Sequence, residues 1–235
     1  MPDSFSLMPL KNNMTLAEIL MYLTGDLKVS IINDIGPCLS LGYDEGGYFA
    51  APRLVLSYVD YLGALYHGYE GKSDSKNRRI FADPKYAKNF LSNVFGRKDD
   101  GYKKYGDLLW EIYRNGTIHL YSPKSLKDIA SKRTVGWLIH KLERKAQLRD
   151  TFNEGMYFTA THLKPYDHGN GTWTQPISIK CMYEDLIYAI DRFAQIISTD
   201  HNLESKFRST SDALSIPETT LIEWWKNQKN KALYQ

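Results

Sequence analysis

The stretch from Ala50 to about Tyr69 constrains the fold more than any other part of the chain. Ala50-Ala51-Pro52 is a good helix start, because proline is accepted in the first turn, where its missing N–H costs nothing. At about 100° per residue, Arg53, Ser57, Asp60 and His67 fall within a stripe of roughly 80°. Leu54, Val55, Leu56, Tyr58, Val59, Leu62, Leu65 and Tyr66 occupy nearly everything else. Such a helix is buried on most sides, and its narrow polar stripe either faces water or lines a polar cleft.

The flanking sequence is also largely helical. Thr15-Leu-Ala-Glu18 has the form of a capping box, and Leu16, Ile19, Leu20, Leu23, Leu27 and Ile31 follow at helical spacing. This predicts a helix ending near Gly36-Pro37. Asp83-Pro84 reads as an N-cap and first-turn proline opening a short helix to Phe95. Another helix is expected from Asp99 or Asp100 through Tyr113, with Asn115-Gly116 as its end or a kink, since both residues tolerate left-handed backbone.

Past Pro123 the pattern changes. A short helix is expected over Ser125–Lys132, and Thr134–Leu142, Met156–Leu163 and Thr174–Lys180 are rich in β-branched and aromatic residues. Turn residues from Pro165 to Gly171 separate the last two of these, which predicts a hairpin or small antiparallel sheet. Helical spacing returns over Met182–Ile197, and Pro217 opens a final short helix carrying Trp224-Trp225. The expected fold is therefore mainly α: a single domain over 1–235, with a helical core at about 14–125 and 182–232 and a β-containing insertion at about 133–181.

With 235 residues and 43% hydrophobic content the chain can bury a self-supporting core. No apolar run approaches the ~18 residues of a membrane helix, and the N-terminal residues do not read as a secretory signal. The two cysteines, Cys38 and Cys181, form neither a CxxC pair nor a zinc set. A cytoplasmic protein is the expectation, without membrane, metal or other cofactor. Several enzyme classes fail on their motifs. Gly71-Lys72-Ser73 resembles the end of a phosphate-binding loop, but Tyr66 stands where the first glycine should be. Gly169-Asn-Gly171 does not extend to a dinucleotide fingerprint, and HExxH and G-x-S-x-G are absent.

Charge is uneven. The formal total is only +3, yet eight of the basic residues lie between Lys124 and Arg149, opposed by two acidic ones, Asp128 and Glu143. Local patches matter more than totals for attracting phosphate backbones. Lys124, Lys127, Lys132 and Arg133 are the candidate RNA-binding residues, and a merely solvated basic face is the plain alternative.

The segment that carries chemistry is Tyr105–Pro123, with Arg114 and His119 five apart and Asn115 directly after the arginine. A kink at Asn115-Gly116 would bring the two side chains into one cleft. Arg114-Asn115-Gly-Thr-Ile-His119 resembles the HEPN family signature, an Arg followed after four to six residues by His, commonly with a polar residue after the Arg. The likeness covers residues 14 to 125, with the helix from Met182 as a further part. It implies a HEPN-like helical bundle and a metal-independent endoribonuclease of toxin–antitoxin or abortive-infection type, acting as a homodimer that joins two motifs. RNA is the implied substrate, and a cognate antitoxin or other protein a further partner. Arg114 and His119 would be catalytic, Asn115 would orient the cleft or bind phosphate, and Asp60 would hold the arginine.

The residue types suit this chemistry. Attack by a ribose 2′-hydroxyl needs a base near neutral pH, and histidine has an ordinary pKa of ~6.5. It also needs a cation beside the phosphorane-like transition state, which arginine supplies as a planar set of donors. Two other readings stay open. The module can be catalytically silent and bind RNA or a protein, or Glu111 and Arg114 can form a surface ion pair with Asn-Gly as a plain helix cap.

Overall fold

The computed structural model describes residues 10–42, 45–71, 83–115, 123–127, 132–150, 152–153, 155–169, 171–215 and 226. The capping box forms as expected. Thr15 Oγ1 accepts from the Glu18 N–H at 3.3 Å, and Glu18 Oε2 accepts from the Thr15 N–H at 2.8 Å. From there α1 (Leu16–Met21) runs through a π-helical segment (Tyr22–Leu27) into α2 (Lys28–Ser40). The helix therefore does not stop at Pro37. The proline sits in the last turn, where its missing N–H removes the bond to the Asn33 carbonyl, and the helix ends three residues later at Ser40.

The apolar helix is α3 (Ala50–His67), and it packs against α2, α4 (Pro84–Asn93) and both C-terminal helices, α6 (Ile179–Ile197) and α7 (His201–Leu214). Its phase places Val55, Leu56, Val59, Leu62 and Leu65 at 0–1% exposure. Gly63 sets the distance to α4: a Cβ built there would lie 2.8 Å from the Ala87 backbone, so the two helices can approach this closely only at a glycine. Gly68 ends α3 at φ 91°, with its N–H returning to the Ala64 carbonyl. After α4 a 3₁₀ turn (Phe95–Arg97) leads to α5 (Gly101–Leu109), which continues as a second π-helical segment, Trp110–Arg114.

The mainly α expectation is corrected by the sheet. Among the described residues about 58% are helical and 16% in strands, so the fold is an α/β mix. Strands β1 (Leu126–Lys127), β2 (Thr134–His140), β5 (Tyr166–Asp167) and β6 (Thr172–Ser178) form a four-stranded mixed sheet in the order β1-β2-β6-β5, and β3 (Lys145–Arg149) and β4 (Tyr157–Thr161) form a separate pair. β2 and β6 are parallel over seven residues, from Thr134↔Thr172 to His140↔Ser178. Turn chemistry between Pro165 and Gly171 predicts pairing of the segments on either side. In the structure β4 pairs with β3 instead, and that turn joins β5 to β6. The expected helix over Ser125–Lys132 is also replaced, at Leu126 and Lys127, by the edge strand β1.

The sheet is continuous with the helical core. Thr174 to Ser178 of β6 are buried, and Leu163, Ile177 and Ile179 join the same apolar cluster as α3 and α6. Tyr113 fastens the two parts together, its hydroxyl donating to the Gln175 carbonyl at 2.6 Å while accepting from the Leu138 N–H at 3.2 Å. Within the helical region expected at 182–232, α7 is a separate helix that sequence reading did not delimit, opened by Asp200 accepting from the Asn202 and Leu203 N–H groups. Trp224 and Trp225 lie outside the described residues.

Candidate functional site

Arg114 stands at the end of the second π-helical segment, where the Asn115 N–H donates to the Trp110 carbonyl five residues back. One extra residue in a turn shifts the phase of every side chain after it, and such segments recur at functional sites. The shifted turn aims Arg114 at α3. Its Nε and Nη2 donate to Asp60 Oδ2 at 3.1 and 2.9 Å, and its guanidinium carbon lies 5.3 Å from the centre of the buried Trp110 ring. The Arg114 and Asp60 side chains are 19% and 18% exposed, which keeps the pair within reach of a ligand. Burial pushes the Asp60 carboxyl above its ordinary range, against the opposing pull of Arg114.

Asn115 is tied to both neighbours. Its Oδ1 accepts from Arg114 Nη1 at 3.4 Å and its Nδ2 donates to Glu111 Oε2 at 3.0 Å. Glu111 also faces Lys88 at 3.7 Å and Lys124 at 3.6 Å. The Lys124 N–H donates to the Ile112 carbonyl at 3.0 Å, so the chain that leaves at Asn115 is anchored again beside the same turn. His119 lies outside the described residues.

Of the basic residues, Lys124 sits against Glu111, whereas Lys127, Lys132 and Arg133 are exposed along the β1 edge of the sheet. Arg133 lies 6.0 Å from the Trp173 ring centre. The rest of the α3 polar stripe divides: His67 stacks on Tyr86 and meets Glu70 at 2.7 Å, while Ser57 faces a different pocket between α2 and α3. Tyr102 and Tyr113, two of the aromatics that flank the motif, are core residues.

Two polar clusters escaped the sequence reading. In the first, Arg144 grips Asp185 with Nη2 at 2.8 and 2.9 Å and also pairs with Asp99. Tyr102 donates to Asp185 at 3.0 Å and meets His162 Nε2 at 3.2 Å, while His162 Nδ1 accepts the Ser178 N–H at 3.0 Å. Burial holds His162 far below the ordinary histidine range, which together with these bonds fixes a neutral ring with the proton on Nε2. The signal was Asp185 itself, a carboxylate on the apolar face of α6, which requires a buried partner.

In the second, His168 meets Asp150 Oδ2 at 2.9 Å and Thr174 Oγ1 at 2.9 Å, the connectivity of an acid–base–hydroxyl triad. Thr174 is only 2% exposed, and Phe152, Phe158 and Tyr166 crowd the histidine ring. The hydroxyl is closed to a substrate, so this chain of bonds locks β6 to the loop after β3 rather than forming a nucleophile.

Among the described residues, no three His, Cys, Asp or Glu side chains gather closely enough to hold a metal ion, and no helix is long and apolar enough to cross a membrane. The chain matches no protein-family model, no curated protein and no solved structure.

Proposed function

We propose that this protein cleaves RNA without a metal ion, at a site built on Arg114 and His119. The observation that supports the reading is the grip of Asp60 on Arg114. A guanidinium held by two bonds from one side, backed by an indole ring and flanked by Asn115, is a pre-oriented cation beside which a phosphate can sit. His119 lies four positions after Asn115, so chain length alone keeps their Cα atoms within about 14 Å.

In the proposed reaction His119 takes the proton of a ribose 2′-hydroxyl, the 2′-oxygen bonds to phosphorus, and the P–O5′ bond breaks. Arg114 stabilises the charge that builds on the non-bridging oxygens. A second copy of the motif, from the partner in a homodimer, supplies the acid that protonates the leaving 5′-oxygen. The products are a 2′,3′-cyclic phosphate and a 5′-hydroxyl. The exposed Lys127, Lys132 and Arg133 offer a path for the phosphate backbone. The proposed setting is a cytoplasmic toxin or defence system, with a cognate antitoxin or another protein as partner.

A second reading has its own support. Asp60 already neutralises Arg114, an arrangement equally suited to a silent module that binds RNA or a protein. Incubation of the wild type, Arg114→Ala and His119→Ala with mixed single-stranded and structured RNA in EDTA separates the two. Cleavage lost in both variants supports the nuclease. Binding by gel shift without cleavage supports the silent module, and neither binding nor cleavage sets RNA aside.

A further inference from the structure

A pocket of about 350 Å³ opens between the N-terminal helices and α3, and Asp60 is not part of its wall. That volume is within the range of small-ligand sites. Three tyrosines, Tyr22, Tyr58 and Tyr61, form much of its wall, and Asp34 supplies a carboxylate. No Lys, Arg or His lines it among the described residues. The π-helical segment Tyr22–Leu27 builds one side. In an α-helix residues five apart diverge by about 140°, whereas π winding brings them toward one face, and Tyr22 and Leu27 both line the pocket.

The hydrogen atoms of the pocket's hydroxyls are mostly committed to the protein. Tyr58 donates to Asp34 Oδ2. Ser30 Oγ donates to the Asp26 carbonyl at 2.8 Å, and Ser57 Oγ to the Arg53 carbonyl at 2.8 Å. The Tyr22 and Tyr61 hydroxyls are 2.5 Å apart, so one of them donates to the other. What remains for a ligand is chiefly lone pairs, aromatic rings and the Asp34 charge. An anion would meet that carboxylate unfavourably, and a neutral apolar molecule would gain nothing from its charge. A positive group carried on an apolar body satisfies both the rings and the acid.

We propose that this pocket binds a small organic cation, an ammonium group on an apolar body. The site is separate from Arg114, and its test reads binding rather than RNA chemistry. Three probes of one shape, phenethylamine, phenethyl alcohol and hydrocinnamate, are titrated calorimetrically into the full chain at neutral pH. The amine is expected to bind at least about tenfold more tightly than the alcohol, and the anion most weakly. Asp34 is exposed, so Asp34→Asn should fold normally, which circular dichroism checks. It should weaken the amine about tenfold and leave the alcohol unchanged. Ser57→Phe, which fills the pocket from an exposed helix position, should abolish binding of the amine. Equal binding of amine and alcohol, an unchanged amine affinity in Asp34→Asn, persistence of binding in Ser57→Phe, or no binding of the amine at millimolar concentration would each overturn the proposal.

Discussion

Arg114 Nη2 lies 2.9 Å from Asp60 Oδ2 although 54 positions separate the two residues in the chain. The contact joins the π-helical end of one helix to the middle of the largely apolar α3, and it fixes the orientation of a cation that keeps some solvent exposure. Burial raises the Asp60 carboxyl even with the arginine beside it, so desolvation offsets much of what the pair gains.

That balance makes Asp60→Asn informative. The cost of burying the carboxylate is removed along with its attraction, and the amide oxygen still accepts from a guanidinium that keeps 19% exposure, so stability by urea unfolding should change by less than about 1 kcal/mol. Arg114 loses its charged anchor, however, and RNA cleavage should fall by about tenfold or more. A large loss of stability with cleavage per folded molecule unchanged would show that the pair serves the fold alone.

Arg144 presents the opposite case, because Asp185 is fully buried. Arg144→Met leaves that carboxylate facing the Tyr102 hydroxyl without its cation, and should cost about 3–5 kcal/mol at neutral pH. Burial already raises the Asp185 carboxyl above its ordinary range, and loss of Arg144 raises it further. The native variant then holds a proton that the unfolded chain releases, so its stability falls as pH rises through that window and the defect shrinks on acidification. Denaturation at pH 5 and pH 7 checks the sign, and adding Asp185→Asn should recover much of the neutral-pH loss.

Asp150 works in the other direction. Burial alone would raise its carboxyl, but hydrogen bonds from His168, Asn153 and the Phe152 N–H outweigh this and lower it from 3.8 to about 2. The stability this provides is present above the unfolded value and is lost as pH falls through the folded one. The difference in unfolding free energy between the wild type and Asp150→Asn should therefore decline between pH 4 and pH 2. A difference that stays constant over that interval would mean the carboxylate is not held by these bonds.

Gly63→Ala tests the α3–α4 packing. The added methyl would fall 2.8 Å from the Ala87 backbone, and backbone cannot yield as a flexible side chain can. The substitution should cost about 1–3 kcal/mol, despite the higher helix propensity of alanine. A thermal melt unchanged from the wild type would show that the helices separate freely.

Local signals were legible and long-range pairings were not. The Thr15–Glu18 capping box, the Asp83-Pro84 start and the phase of α3 each depend on residues within a few positions of one another, and each appears in the structure. The phase of α3 also singled out Asp60 as a polar group on an otherwise apolar helix, and the structure brings it against Arg114. The parallel pairing of β2 with β6 depends on partners 38 apart, such as Thr134 and Thr172, and no local pattern marks it. Nor does the sequence mark the π-helical segment at Trp110, which arises within an ordinary helical run. The bonds that bring His162, Asp185 and Arg144 together also cross between elements, which left that cluster unread.

The most direct test of the proposed chemistry uses one defined RNA and the same strand with a 2′-deoxyribose at the cut position, both incubated with wild type and Arg114→Ala in EDTA. The wild type should cut only the all-RNA strand, leaving a 2′,3′-cyclic phosphate and a 5′-hydroxyl, and Arg114→Ala should leave both intact. Cleavage of the deoxy-substituted strand at the same position, or undiminished cleavage by Arg114→Ala, would contradict 2′-hydroxyl attack at a site built on Arg114.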